Sequence, residues 1–212
     1  AVYHFLSKRL GYSFVFKGYK TDGIDPETGE VIIVDTNGDG EILPDDQTYL
    51  GDPHANILFG GNVSASYKGF DFNMFFQGTY GNDVWMGWFR TDRPFSNKPA
   101  FFFEDRWTPD NKNATFPAAN NTSDNIYRSD LMIGDGSYLR IKQLQVGYSL
   151  PKAQLEQFQM NSLRLFVSLD DYFTFTKYKG MDPAAGSSND QRQGVVRGMY
   201  PVAGKLMFGL SQ

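Results

Sequence analysis

The sequence predicts an all-β fold of antiparallel strands, on three observations. Long stretches alternate between apolar and polar residues, the period of a strand with two different faces. Their connections alternate between very short and very long. Aromatic residues make up 16% of the 212 residues, and Phe and Tyr favour strands over helices.

An opening strand is expected over residues 11–19. Phe59, Gly61, Val63, Ala65 and Tyr67 then alternate with Gly60, Asn62, Ser64 and Ser66. After Lys68-Gly69 the pattern resumes, with Phe70, Phe72, Met74, Phe76, Gly78 and Tyr80 against Asp71, Asn73, Gln77 and Thr79; Phe75 is the exception. Two such runs joined by two residues form a tight hairpin. A strand begun at Ser137-Tyr138-Leu139 continues through Leu144, Val146 and Tyr148, and its slip of phase at Lys142-Gln143 fits a bulge. Leu163, Leu165, Val167 and Leu169 alternate with Arg164, Phe166, Ser168 and Asp170, and Phe173 and Phe175 resume the apolar side. The last run sets Val202, Leu206, Phe208 and Leu210 against Ala203, Lys205, Met207 and Ser211. The total is roughly six strands.

Lys68-Gly69 is tiny and residues 151–161 are a modest link, whereas residues 21–56, 81–136 and 177–198 are long, polar and rich in Gly, Asn, Asp and Pro. Short and long ends therefore take turns, as in an up-and-down barrel of the outer membrane, whose short turns and long loops lie at opposite ends. Tyr67, Phe70, Tyr80, Tyr148 and Tyr172 crowd the strand ends, which suits interfacial girdles. A soluble sandwich is the rival for the same strands, although it normally has more even loops.

Composition narrows the functional classes. The formal charge of -4 argues against a broad nucleic-acid footprint, and the absence of Cys excludes disulfides and thiolate metal sites. The first ten residues lack the charged-then-apolar order of a signal peptide. No apolar run approaches the ~18 residues of a membrane helix, which leaves a membrane barrel open. Catalysis finds little support: His4 and His54 stand apart, no nucleophile-elbow serine motif occurs, and Glu104-Asp105 reads as solvated charge.

One loop carries oxygen donors at calcium-loop spacing. Asp35, Asn37 and Asp39 occupy positions 1, 3 and 5, Gly40 the sharp turn at 6, Glu41 the carbonyl position 7, and Asp46 position 12. Asp46 is shorter than the usual bidentate Glu, and an Asp/Asn/Gly turn without metal is the alternative. A structural calcium ion is the expected ligand. In the longest connection Trp85, Trp88, Phe89 and Trp107, with Phe101-Phe102-Phe103, offer flat rings for sugar or peptide side chains, or for packing on the rim or a partner.

Together several stretches resemble the C-terminal part of the SusC/RagA family of TonB-linked outer-membrane transporters. They are Gly18-Tyr19-Lys20-Thr21-Asp22-Gly23-Ile24, the calcium-like loop, Gly51-Asp52-Pro53, Tyr67-Lys68-Gly69-Phe70-Asp71, Phe75-Phe76-Gln77-Gly78 and Tyr80-Gly81-Asn82-Asp83. Ser137-Tyr138-Leu139-Arg140-Ile141-Lys142, Gly147-Tyr148-Ser149-Leu150-Pro151, residues 173–180 and Asp182-Pro183 continue the series in the family's order. The chain departs from the pattern at its last residues, Phe208-Gly209-Leu210-Ser211-Gln212, where an aromatic is usual, and at Ser168-Leu169-Asp170-Asp171-Tyr172, where many relatives carry a Gly-Gln-Asn type segment.

The resemblance implies that residues 1–212 are the C-terminal portion of a large antiparallel transmembrane β-barrel with long extracellular loops, in the outer membrane of a Gram-negative, Bacteroidetes-type bacterium. It implies a non-enzymatic importer of oligosaccharides or peptides, energised by the TonB complex through parts not present here, with a SusD-like surface lipoprotein over its mouth and lipid around it. The loop holding Asp35, Asn37, Asp39, Glu41 and Asp46 then becomes an outward staple, and Asp71, Asn73, Gln77, Arg164 and Asp170 face the wet lumen. The alternative is a secreted calcium-stabilised β-sandwich that binds carbohydrate.

Overall fold

The computed structural model describes residues 3–4, 15–90, 96–120, 123–156, 160–184 and 193–211. Residues 11–14 of the expected opening strand, and 157–159 and 185–192 of the expected connections, lie outside the described residues. In chain order the strands are β1 (Tyr3–His4), β2 (Val15–Gly18), β3 (Thr21–Ile24), β4 (Val31–Ile33), β5 (Thr48–Gly51), β6 (Ile57–Tyr67), β7 (Phe70–Tyr80), β8 (Asp83–Met86), β9 (Ile133–Asp135), β10 (Tyr138–Ser149), β11 (Arg164–Thr176), β12 (Val195–Val196) and β13 (Lys205–Ser211). The α-helices among the described residues are α1 (Ala100–Glu104), α2 (Asp124–Tyr127) and α3 (Lys152–Leu155), each of one turn. The chain divides into two compact units.

The unit made of Asn56–Tyr80, Ser137–Lys177 and Pro201–Gln212 holds one antiparallel sheet, in the order β13-β11-β10-β7-β6. Its hairpin turns on Lys68 at φ 47° and Gly69 at φ 87°, the two positive angles that match a two-residue turn to strand twist. Register places every long connection at the same end of the sheet. Ile57 faces Tyr80, and Tyr138 lies between Thr79 and Thr176, while Tyr67, Phe70 and Tyr148 share the short-turn end.

Rows across the sheet show why these residues alternate. Tyr67, Phe70, Tyr148, Leu165 and Leu210 form one row, Ala65, Phe72, Val146, Val167 and Phe208 the next on that face, and Val63, Met74, Leu144, Leu169 and Leu206 a third. On the reverse face Ser64, Asn73, Gln145, Ser168 and Met207 form a row, beside one of Asn62, Phe75, Gln143, Asp170 and Lys205. The apolar face is uncovered within its unit: Leu210 is 71% exposed and Phe208 75%. A sandwich buries such rows under a second sheet, and the described residues of this unit form none. The architecture is a piece of barrel wall.

The phase slip expected near Lys142 is a bulge. Pairing jumps from Gln143 to Ile141 against both neighbours, so Ile141 returns to the apolar face beside Phe76 and Phe173. On the facing strand Asp171 takes φ 53°. The Lys142 ammonium meets the Asp171 carboxylate at 2.5 Å, so the two irregular residues satisfy each other. The irregularity also shortens the last ladder. Pairing of β11 with β13 stops at Asp170 and Lys205, so Val202 and Ala203, expected in the last strand, precede it.

The other unit, Ala1–Ala55, Gly81–Gly136 and Tyr178–Tyr200, gathers the three long connections into a body with its own core. Phe16, Trp85, Phe89, Phe102 and Met132 are each at most 2% exposed there. Burial of this much aromatic surface drives the connections together despite their polar composition. Short sheets frame the core: β1-β2-β5, β12-β8-β9 with β12 parallel to β8, and the hairpin β3-β4. The expected opening strand is corrected here. Its described part, β2, pairs with β1 and β5 and buries Val15 and Phe16, so the wall sheet has five described strands and not six.

Candidate functional site

Asp71, Asn73, Gln77, Arg164 and Asp170 all project from the polar face of the wall, because each lies at an odd step from the apolar rows. The structure joins two of them. Arg164 Nε donates to Asp71 Oδ1 at 2.8 Å and its Nη2 donates to Asp71 Oδ2, a bidentate fork. Nη2 also donates to Gln145 Oε1 at 3.1 Å, and the guanidinium stands 5.1 Å from the Phe166 ring centroid. Register explains the contact: Asp71 pairs with Gly147, while Arg164 pairs with Ser149, so the fork crosses β10 on a diagonal. Gly147, with no side chain, lies beneath it.

The other polar residues find partners nearer by. Ser64 Oγ donates to Asn73 Oδ1 at 2.6 Å, and Ser168 Oγ donates to Asp170 Oδ1 at 2.7 Å. Gln77 pairs in register with Arg140, whose Nε donates to Thr174 Oγ1 at 2.9 Å. Gln145, Gly147 and Arg140 belong to this face and were not anticipated as site residues. Only register reveals them. Among the described residues this face joins its polar groups in short hydrogen bonds and assembles no nucleophile with a base.

The four aromatics of the longest connection separate. Trp85 and Phe89 are 2% and 1% exposed, in the core of the loop body, which corrects their expected availability to a substrate or partner. Their apolar mass is worth more in that core than in water. Trp88 packs edge-on to Phe89 with ring centroids 4.9 Å apart, at the core margin. Trp107 is partly exposed and lies over Gly29, whose φ of 72° bends the β3-β4 hairpin beneath the ring. Its Nε1 donates to Pro26 O at 3.0 Å. Of the four, Trp88 and Trp107 keep accessible surface.

The loop of Asp35, Asn37, Asp39, Glu41 and Asp46 is closed by its own amides. Asp35 accepts Gly38 N at 2.6 Å and Gly40 N at 2.8 Å, Asn37 Oδ1 accepts Asp39 N at 2.9 Å, and Asp39 Oδ1 accepts Glu41 N at 2.9 Å. Asp46 is fully buried and takes the amides of Thr36, Asn37 and Leu43 at 2.9, 3.3 and 2.8 Å. The Leu43 amide, with those of Thr36 and Asn37, holds its carboxyl below the usual carboxylate range against the cost of burial. Among the described residues no group of three or more His, Cys, Asp or Glu side chains is arranged to hold a metal ion.

No model of a protein family matches the sequence. Individual proteins do. Over 216 residues it is 31% identical to TonB-dependent receptor P3 of Formosa agariphila, a match covering 94% of this chain and 21% of that protein. It is 26% identical over 183 residues to TonB-dependent receptor SusC of Bacteroides thetaiotaomicron, covering 86% of this chain and 17% of SusC. The chain thus spans about a fifth of the length of these curated relatives. Among solved structures, the RagAB peptide importer in its open-open state matches with a TM-score of 0.76 and 23% identity, over 99% of this chain and 24% of that one. Its closed-closed state gives 0.75. At this identity the structural likeness shows the shared fold.

Proposed function

The chain belongs to the SusC/RagA family of TonB-dependent receptors, and from that premise we propose that it is the C-terminal stretch of barrel wall and outer loops in an importer of oligosaccharides or peptides. One observation carries the proposal. A five-stranded sheet has an apolar and a polar face and sends every long connection from one end, as a lipid-embedded wall with outward loops requires. The apolar rows meet outer-membrane lipid, and Asp71, Asn73, Gln77, Arg164 and Asp170 line the lumen.

In this reading the wall and loops do no chemistry. Energy enters through TonB at parts of the receptor outside this segment, and a surface lipoprotein of the SusD kind covers the outward loops, meeting Trp88 and Trp107. The peptide importer among the structural matches favours peptide, and SusC among the sequence matches keeps the saccharide alternative. Cells lacking the receptor gene, offered labelled oligosaccharides and labelled oligopeptides, distinguish the two. Loss of one uptake assigns the substrate class, and loss of neither contradicts the proposal.

The spacing of Asp35, Asn37, Asp39, Glu41 and Asp46 is the ground for a structural calcium ion; the described loop turns these carboxylates onto its own amides, so Asp35 and Asp39 would have to offer their remaining lone pairs to the ion. The ion would rigidify the loop. Calorimetry on the whole receptor tests this: Asp39→Ala is expected to abolish the calcium heat, and a variant that binds as wild type does would remove calcium from the account.

A further inference from the structure

The apolar face of the wall is not smooth. Near the short-turn end a groove of about 580 Å³ runs between two of its rows, a size within the ~300–1,000 Å³ of small-ligand sites. Tyr148, Leu165 and Leu210 stand along one side, and Val146, Val167 and Phe208 along the other. The floor is the backbone of Gly147, Phe166 and Gly209. Phe166 alternates with Leu165 and Val167, so its ring belongs to the opposite face, where it meets the Arg164 guanidinium. Val146 and Val167 reach less far than Tyr148 and Phe208, which leaves the depression. At its head Phe70 leans on Tyr148, with ring centroids 4.6 Å apart.

A cation stands at the same end. Lys68 lies at the hairpin tip, and its ammonium is 5.2 Å from the centroid of the Tyr67 ring. Tyr67 is the ladder partner of Phe70 and belongs to the row of Tyr148, Leu165 and Leu210. The lysine head is therefore carried on the apolar side of the sheet, over a ring that attracts it. Lys152, exposed in the short link after β10, adds a second cation against one exposed acid, Glu156. Among the described residues neither lysine has an ion pair. The other charges at this end, Asp71 and Arg164, neutralise each other on the polar face.

We propose that this end of the wall binds one anionic phospholipid of the periplasmic leaflet, with an acyl chain in the groove and the phosphate at Lys68. The short turns of an outer-membrane barrel face the periplasm, and its aromatic girdle marks the depth of the headgroups. An apolar slot with an unpaired ammonium at its end matches the two parts of such a lipid. The lysine stem covers apolar surface while its head stays at headgroup level, and a cation there attracts anionic lipid. The site rests on the apolar face being the lipid side of the wall.

Native mass spectrometry of the whole receptor tests this, in mild detergent titrated with phosphatidylglycerol or with phosphatidylethanolamine of equal chain length. One phosphatidylglycerol is expected to stay bound under conditions that strip the other lipid. Lys68→Gln should weaken its binding about fivefold, the contribution of one lysine near a membrane surface. Val146→Trp fills the groove and should abolish retention, whereas Leu144→Trp sets the same bulk one apolar row away and should leave the lipid bound. No retained lipid, equal retention of both lipids, unchanged binding in Lys68→Gln, or equal loss in the two tryptophan variants overturns the proposal, as does a second receptor copy in place of the lipid. If Val146→Trp fails to assemble, Lys68→Gln alone decides. Where no lipid is retained and a cysteine at Phe72 stays protected from a water-soluble maleimide, the lipid site falls and the wall stands; labelling at Phe72 removes both.

Discussion

The Arg164 guanidinium grips the Asp71 carboxylate across an intervening strand, passing over Gly147, which has no side chain to obstruct it. A Cβ at residue 147 would lie 2.5 Å from both Arg164 Nη2 and Asp71 Oδ1. Three wall strands are therefore laced on the polar face by one charge-assisted fork. Gly147→Val is expected to force the fork apart, and Arg164→Met to leave Asp71 without its strongest donor. Each should cost about 1–3 kcal/mol, read as a lower temperature for loss of the folded band of the whole receptor on heated gels, with the double variant less than additive.

The two faces of β10 tolerate charge very differently. Leu144 sits in an apolar row beside Met74 and Leu169, and Gln145 in the polar row beside Asn73 and Ser168. Leu144→Lys is expected to cost about 2–4 kcal/mol of assembly free energy near the midplane and to reduce receptor in outer-membrane fractions. Gln145→Lys, one residue away, should assemble at nearly the wild-type level.

Phe89 is a core residue of the loop body, 1% exposed. Phe89→Ala should destabilise that body by about 3–5 kcal/mol, with new protease cuts in residues 81–136 of the receptor while the wall stays folded on gels. Trp107→Ala removes the ring over Gly29 and the bond to Pro26 O, and cuts are expected first in the β3-β4 hairpin.

Asp46 makes its loop sensitive to acid. The Asp46 carboxyl is lowered by the amides it accepts, so its stabilisation is complete above the ordinary aspartate range and fades as pH falls through its folded value. Asp46→Asn removes that charge, and the amides of Thr36, Asn37 and Leu43 should exchange faster at neutral pH than in wild type. The difference is expected to shrink toward acid pH.

The wall strands were legible because period two is written into them. From residue 57 to 80 a one-residue slip would turn every Phe except Phe75 off the apolar face. The Lys142 bulge was visible as the same signal broken once. Contacts that depend on register were not visible: nothing in the separate sequences around Asp71, Gly147 and Arg164 says that they meet. The loop body was the least legible part. Its strands are two to four residues long, too short for a period, and Trp85 and Phe89 look the same in sequence whether they face a solute or a core. The five-strand count also escaped the sequence, because an aromatic and β-branched run around Val15 and Phe16 reads as a strand wherever it packs, and the structure buries both residues in the loop body.

The absence of Cys from this chain makes the central claim directly measurable, with any cysteine elsewhere in the receptor removed. Single cysteines at Phe72 and Val146 on the apolar face, and at Asn73 and Gln145 on the polar face, can be offered a membrane-impermeant, water-soluble maleimide in outer membranes. The account predicts labelling at Asn73 and Gln145, and protection at Phe72 and Val146 until the lipid is replaced by denaturant. Equal labelling at adjacent positions, or protection on the polar face with labelling on the apolar one, would contradict a wall with lipid on one side and water on the other.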